Sequence, residues 1–135
     1  MKKLRAIVEF ADNNYTAYLK EFDGCVGISE TIEEVKDSLR KSLELHIELM
    51  QEDGVKVPKI LQGEYDIEYS YDLASFLQVY GKIISKAGLE KISGINQKQL
   101  WHYANGISKP RESTKKKIEQ SIHQLGKELI EMTFV

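Results

Sequence analysis

Apolar and polar positions alternate at the start of the chain. Leu4, Ala6, Val8 and Phe10 fall on one side of an extended segment and Arg5 and Glu9 on the other, with Ile7 the one interruption. This pattern predicts a half-buried strand. Asp12-Asn13-Asn14 supplies side chains that tolerate turn geometry, and Tyr15 to Lys20 resumes the alternation, so a second strand is expected to return as a hairpin. Asp23-Gly24 interrupts again, and Cys25-Val26-Gly27-Ile28 is a short third strand candidate weakened by its glycines.

The period then changes from two to about 3.6. Thr31-Ile32-Glu33-Glu34 has the form of a capping box, in which the threonine oxygen and the glutamate carboxylate each satisfy a backbone donor at a helix start. Ile32, Val35, Leu39, Leu43, Ile47 and Met50 recur at spacings of three and four up to a stop at Gly54, which predicts an amphipathic helix of roughly five turns. Val55 to Pro58 is expected to be extended. Glu64 to Tyr71, with Tyr65, Ile67, Tyr69 and Tyr71 alternating, reads as a fourth strand. The first half is therefore βββαβ.

Short helices follow. Asp72 is placed to cap Leu73 to Tyr80, Ser85 to open a helix through Ile92 that ends at Ser93-Gly94, and Asn96 to open Gln97 to Asn105, with Gln99 completing a second box. Gly106 ends that helix. After Lys109-Pro110 a last helix carries Ile118, Ile122, Leu125 and Leu129, while residues 130–135 fit either its continuation or a strand. The expected organisation is an α+β chain with domains at 1–71 and 72–135.

Charge changes the picture more than composition does. The net charge of −2 over 135 residues hides an acidic first half: residues 1–66 hold 9 Lys/Arg against 14 Asp/Glu, net −5. Residues 82–118 hold 9 basic side chains against Glu90 and Glu112 alone, net +7, the electrostatic footprint expected of a nucleic-acid-binding segment. No stretch has the length of a membrane span, and Glu9 breaks the basic amino end before an apolar signal core forms. With a single cysteine, a cytoplasmic location is expected, with no disulfide framework and no cysteine-based metal site.

Within the basic segment, Ser93-Gly94-Ile95-Asn96 offers a glycine for a left-handed turn, an apolar plug and a capping side chain between two short helices. The stretch resembles the Cro/phage-repressor type of helix-turn-helix through Gly94-Ile95-Asn96-Gln97, Leu100, Tyr103, Asn105-Gly106 and Lys109-Pro110. Ser93 stands where that family usually has an aliphatic residue and Ala104 where it often has an acid. Leu100 and Tyr103 are expected to face the core. The resemblance implies that Asn96, Gln97, Lys98, Gln99, Trp101 and His102 form the DNA-facing side, with Gln97, Lys98 and Trp101 or His102 approaching bases and Lys86, Lys109 and Arg111 lying near phosphates. For Trp101, core packing and stacking on DNA are both open.

The first half resembles a HicB-type antitoxin domain. The likeness rests on Phe22-Asp23-Gly24-Cys25-Val26, Thr31-Ile32-Glu33-Glu34-Val35, Leu43-Glu44-Leu45-His46-Ile47, and Glu52-Asp53-Gly54 followed by Val57-Pro58, with Phe22-Asp23 where a proline commonly precedes the Gly-Cys pair. It implies a partial RNase H-like fold that masks a HicA-like RNA-cleaving toxin, attached to a domain that represses its own operon. Operator DNA and the toxin are then the expected partners, and a homodimer or higher even-numbered homo-oligomer the expected assembly, because a two-fold protein reads a two-fold operator. No catalytic residue, cofactor or metal is expected.

Two alternatives remain. One is a stand-alone transcriptional regulator whose first domain senses a small molecule or protein. The other is a metal-dependent RNase H-like nuclease, whose acids would come from Glu9, Glu33 or Asp37, and Asp66 or Glu68. Against the nuclease, Glu9 is expected to point away from the apolar face. Cys25, His46 and His123 read as packing or surface residues.

Overall fold

Extended alternation and helical period build a mixed α+β molecule, seen here in a computed structural model that describes residues 2–11 and 13–135. The chain divides into two compact units, Met1–Asp72 and Leu73–Val135, one residue beyond the expected boundary. Among the described residues no helix is long and apolar enough to cross a membrane.

In the first unit β1 (Lys2–Ala11), β2 (Asn14–Leu19), β3 (Val26–Ser29) and β4 (Tyr65–Tyr71) form one sheet in the order β3-β2-β1-β4. The β1–β2 and β2–β3 pairs are antiparallel, whereas β4 lies parallel to β1 with Leu4 opposite Ile67. A parallel neighbour requires a crossover, which α1 (Ile32–Glu52) supplies. Asn13 takes a left-handed φ of 67° at the hairpin; Asp12, the first residue of the expected turn, lies outside the described residues. The second strand starts and ends one residue before the expected Tyr15–Lys20, and the third begins after Cys25.

Side chains alternate as expected. Leu4, Ala6 and Val8 of β1 and Ala17 and Leu19 of β2 turn inward to meet Val35, Leu39 and Leu43 of α1, with Cys25 and Ile67 in the same core. Leu61, on a single 3-10 turn (Lys59–Leu61) that the sequence pattern did not predict, joins them. Gly27 is what lets β3 lie against α1: a Cβ there would stand 2.5 Å from the backbone nitrogen of Leu39. The Thr31 hydroxyl caps α1 by accepting from the Glu34 N–H at 3.1 Å, but the Glu34 carboxylate accepts from Ser29 Oγ at 2.7 Å, so the reciprocal half of the box is replaced by a tie to β3. At 21 residues α1 runs about six turns rather than five.

The second unit comprises α2 (Leu73–Tyr80), α3 (Lys86–Ser93), α4 (Gln97–Ala104) and α5 (Glu112–Glu131). Relative to expectation α3 gains Ser93 and α4 loses Asn105, since Asn105 is the residue whose N–H closes the end of α4 on the Trp101 carbonyl at 3.1 Å. The choice at residues 130–135 resolves into one more helical residue pair and then no regular structure from Met132. Leu77, Leu89, Leu100, Tyr103, Ala104 and Ile118 form the core, with Leu73, Phe76, Ile84, Ile95 and Ile122 packed around it.

Candidate nucleic-acid interface

The turn between α3 and α4 is built by local hydrogen bonds. Gly94 takes a φ of 78°, and its N–H closes α3 on the Glu90 carbonyl at 2.8 Å. Ser93 Oγ donates to the Leu89 carbonyl at 2.6 Å and accepts from the Ile95 N–H at 3.2 Å. A serine at this position thus trades apolar packing for two bonds that hold the turn. Ile95 drops into the core, and Asn96 Oδ1 accepts from the Lys98 N–H at 2.7 Å to open α4. The Glu90 carboxylate adds a second cap, accepting from the Gln97 N–H at 3.0 Å.

With Leu100 and Tyr103 buried, helical geometry decides what α4 shows to solvent. Gln97 and Lys98 in the first turn and Trp101 one turn on are exposed, so the side chains at spacings of three and four meet on one outward stripe. Trp101 is 49% exposed, which resolves its two readings in favour of a surface position. Its ring meets the half-buried His102 edge to face, with centroids 5.8 Å apart. The stripe ends at Asn105, whose side-chain amide donates to the Trp101 carbonyl at 2.8 Å.

Gln99 is not part of this stripe. It is half-buried and its amide donates to Ser108 Oγ at 3.2 Å, bracing the loop after α4 instead of completing a capping box at Asn96. Lys109 and Arg111 are exposed on either side of Pro110, and Arg111 occupies the N-cap position of α5. Lys86 opens α3 half-buried, with its ammonium 3.8 Å from where a Cβ on Gly81 would stand. Sequence spacing missed the roles of Glu90 and Ser108, because each acts across a turn on a partner seven or nine positions away. The only signal for Glu90 was its isolation among the basic residues of this segment.

In the first unit the five candidate acids fall on different faces. Glu9, Asp66 and Glu68 are exposed on strand positions that alternate with Val8 and Ile67, on the sheet face away from α1. Glu33 and Asp37 lie on α1, which packs against the other face. Asp37 is held by Lys41 at 2.9 Å, and that bond raises the lysine above its ordinary pKa, whereas Glu9 accepts from Tyr18 Oη at 3.1 Å. Among the described residues no three His, Cys, Asp or Glu side chains are grouped to hold a metal ion. Cys25 is fully buried, and burial pushes its thiol up, away from the thiolate a nucleophile requires. His46 is half-buried on α1 and His123 exposed on α5. No family model, curated protein or solved structure matches the chain.

Proposed function

We propose that the chain is a cytoplasmic antitoxin and autorepressor that uses no cofactor. In this reading Leu73–Val135 is a helix-turn-helix domain of the Cro/phage-repressor type that reads operator DNA. Met1–Asp72 is a partial RNase H-like domain that masks a HicA-like RNA-cleaving toxin. The observation that carries the DNA half is the pair α3 and α4, joined by a three-residue turn, with Leu100 and Tyr103 anchored inward and Gln97, Lys98 and Trp101 presented outward.

A helix of this kind fits the major groove, about 12 Å wide, with its first turn leading. Gln97 offers paired donor and acceptor groups suited to adenine, Lys98 an ammonium suited to guanine or phosphate, and Trp101 an apolar ring for a thymine methyl. Lys109 and Arg111 supply charge beside the groove, so affinity falls as salt rises. For the first unit, support is the βββαβ order, the resemblance of its motifs and its 9 Lys/Arg against 16 Asp/Glu over residues 1–72, net −7, a field that steers a basic RNA-binding protein toward it.

The test is titration of labelled DNA from upstream of the coding region at several salt concentrations. Replacing Gln97, Lys98 and Trp101 together by alanine should weaken specific binding about 100-fold or more, each base contact being worth roughly 1 to 3 kcal/mol. Unchanged binding sinks the assignment of α4. In parallel, residues 1–72 expressed alone should rescue cells from the toxin encoded beside this chain; rescue by residues 73–135 instead reverses the division of labour.

A further inference from the structure

Residues 82–118 hold 9 Lys/Arg and two acids, Glu90 and Glu112, and the two acids are not used alike. Glu112 pairs with Lys115 at 3.1 Å, so its charge is answered within α5. Glu90, half-buried on α3, forms no ion pair among the described residues; its carboxylate instead accepts from the Gln97 N–H at 3.0 Å.

A full negative charge at the start of the helix that faces DNA lowers affinity for a polyanion, so its presence calls for a reason. Capping alone is not one. Asn96 already closes the first turn of α4 through the Lys98 N–H at 2.7 Å, and a neutral glutamine at position 90 would accept the same bond from Gln97. The charge does something the hydrogen bond does not.

The start of a helix is where backbone N–H groups and the helix dipole favour a phosphate. Phosphate contacts of this kind strengthen binding to every DNA sequence and carry no sequence information. At α4 the Gln97 and Lys98 N–H groups are both taken by the chain's own side chains, and one of the two acceptors is an anion. A second anion arriving at that end meets repulsion and finds those donors engaged.

We infer that Glu90 is a specificity residue: its carboxylate stands in for a DNA phosphate at the start of α4 and keeps the DNA backbone from docking there. Base contacts from Gln97, Lys98 and Trp101 are then left to decide where the chain binds. The inference rests on the reading of α4 as the DNA-facing helix. Discrimination of this kind comes from a repulsive element set against the wrong contact, beside the attractive ones that favour the right contact.

Titration of the full chain on labelled upstream DNA and on random-sequence DNA of equal length tests it, with Glu90→Gln as the variant. Glutamine keeps the cap and loses the charge, so circular dichroism and the melting temperature should not change. Binding to random-sequence DNA should tighten about tenfold at low salt, the gain fading as salt screens the charge, while binding to upstream DNA tightens about twofold at most. The ratio of the two affinities should then fall about fivefold. Glu119→Gln removes the same charge from an exposed position of α5 just past the basic segment and should leave the ratio as it is. An unchanged ratio in Glu90→Gln, or an equal fall in Glu119→Gln, would overturn the inference. The variant with Gln97, Lys98 and Trp101 replaced by alanine separates it from the reading beneath it. If that variant binds upstream DNA like the wild type, α4 is not the reading helix and both fall; if it loses binding while Glu90→Gln keeps the wild-type ratio, only the role of Glu90 falls.

Discussion

The two units solve the same problem with unequal means. Among the described residues Met1–Asp72 buries eleven, ten from three strands, one long helix and a 3-10 turn and Cys25 from the loop before β3, whereas Leu73–Val135 buries six from four helices. The second unit also leaves Ile83, Ile92, Trp101, Ile107, Leu129, Ile130, Met132 and Phe134 as exposed large apolar side chains. Both are short enough that a single core supplies only a few kcal/mol. The smaller core has less in reserve, and of its outward apolar groups Trp101 lies on the stripe that the proposed DNA contact would cover. The first unit exposes Val26, Ile28, Leu45, Leu49, Val55 and Tyr71 as well, so the contrast lies in the size of the core and not in exposed apolar surface.

The largest test of that contrast is Leu100→Ala. Leu100 is fully buried among six core residues, and its truncation should cost about 3 to 4 kcal/mol. Such a loss takes most of what a unit of this size holds, so helical signal should fall at 25 °C while amide resonances of the sheet persist. Simultaneous loss of both would show that the units do not have separate stabilities. Gly27→Ala comes next, at about 2 to 3 kcal/mol, because the new methyl meets backbone rather than a side chain that can swing away. Its melting curve should show an earlier sheet transition with the helices of the second unit unmoved.

Caps sharpen the comparison on a smaller scale. Thr31→Ala and Asn96→Ala each remove one side-chain acceptor from a helix start and should each cost about 1 kcal/mol. The equal cost should lower the denaturant midpoint of the second unit by the larger fraction. The smallest effect belongs to Glu21. Burial alone would push its carboxyl up, but hydrogen bonds from the Arg5 side chain and backbone, aided by the Arg5 charge, hold it below the ordinary 4.5. A lowered carboxyl pKa adds stability above 4.5 that is lost as the pH falls through the folded value. With Arg5 largely in solvent this is at most roughly 0.5 kcal/mol, and Arg5→Ala should flatten the acid slope of the first unit alone.

What could be read in advance follows the range of the interaction. Val35, Leu39 and Leu43 are legible as core because the helix repeats its own pattern, and Thr31, Ser85, Gly94 and Asn96 because a cap or a left-handed turn is decided within a few residues. The outward stripe of α4 followed from the spacing of Leu100 and Tyr103. Gly27 reads in sequence only as a weak strand residue, because the helix it admits comes later in the chain. Leu61, Glu90 and Gln99 were missed for a related reason: their partners are set by where a loop lands, which no period encodes.

The order of strands in the sheet also sets a clock. β1 is first in the chain but sits between β2 and β4, and its pairing of Leu4 with Ile67 spans nearly the whole first unit. During synthesis at about 5 to 20 residues per second, the β1–β2 hairpin therefore waits roughly 2 to 10 s with one edge bare before β4 emerges. The helices of the second unit, whose neighbours are close in sequence, have no comparable delay. A newborn chain thus passes through an interval in which the sheet of its first unit is unfinished, with an open strand edge that other chains can pair with.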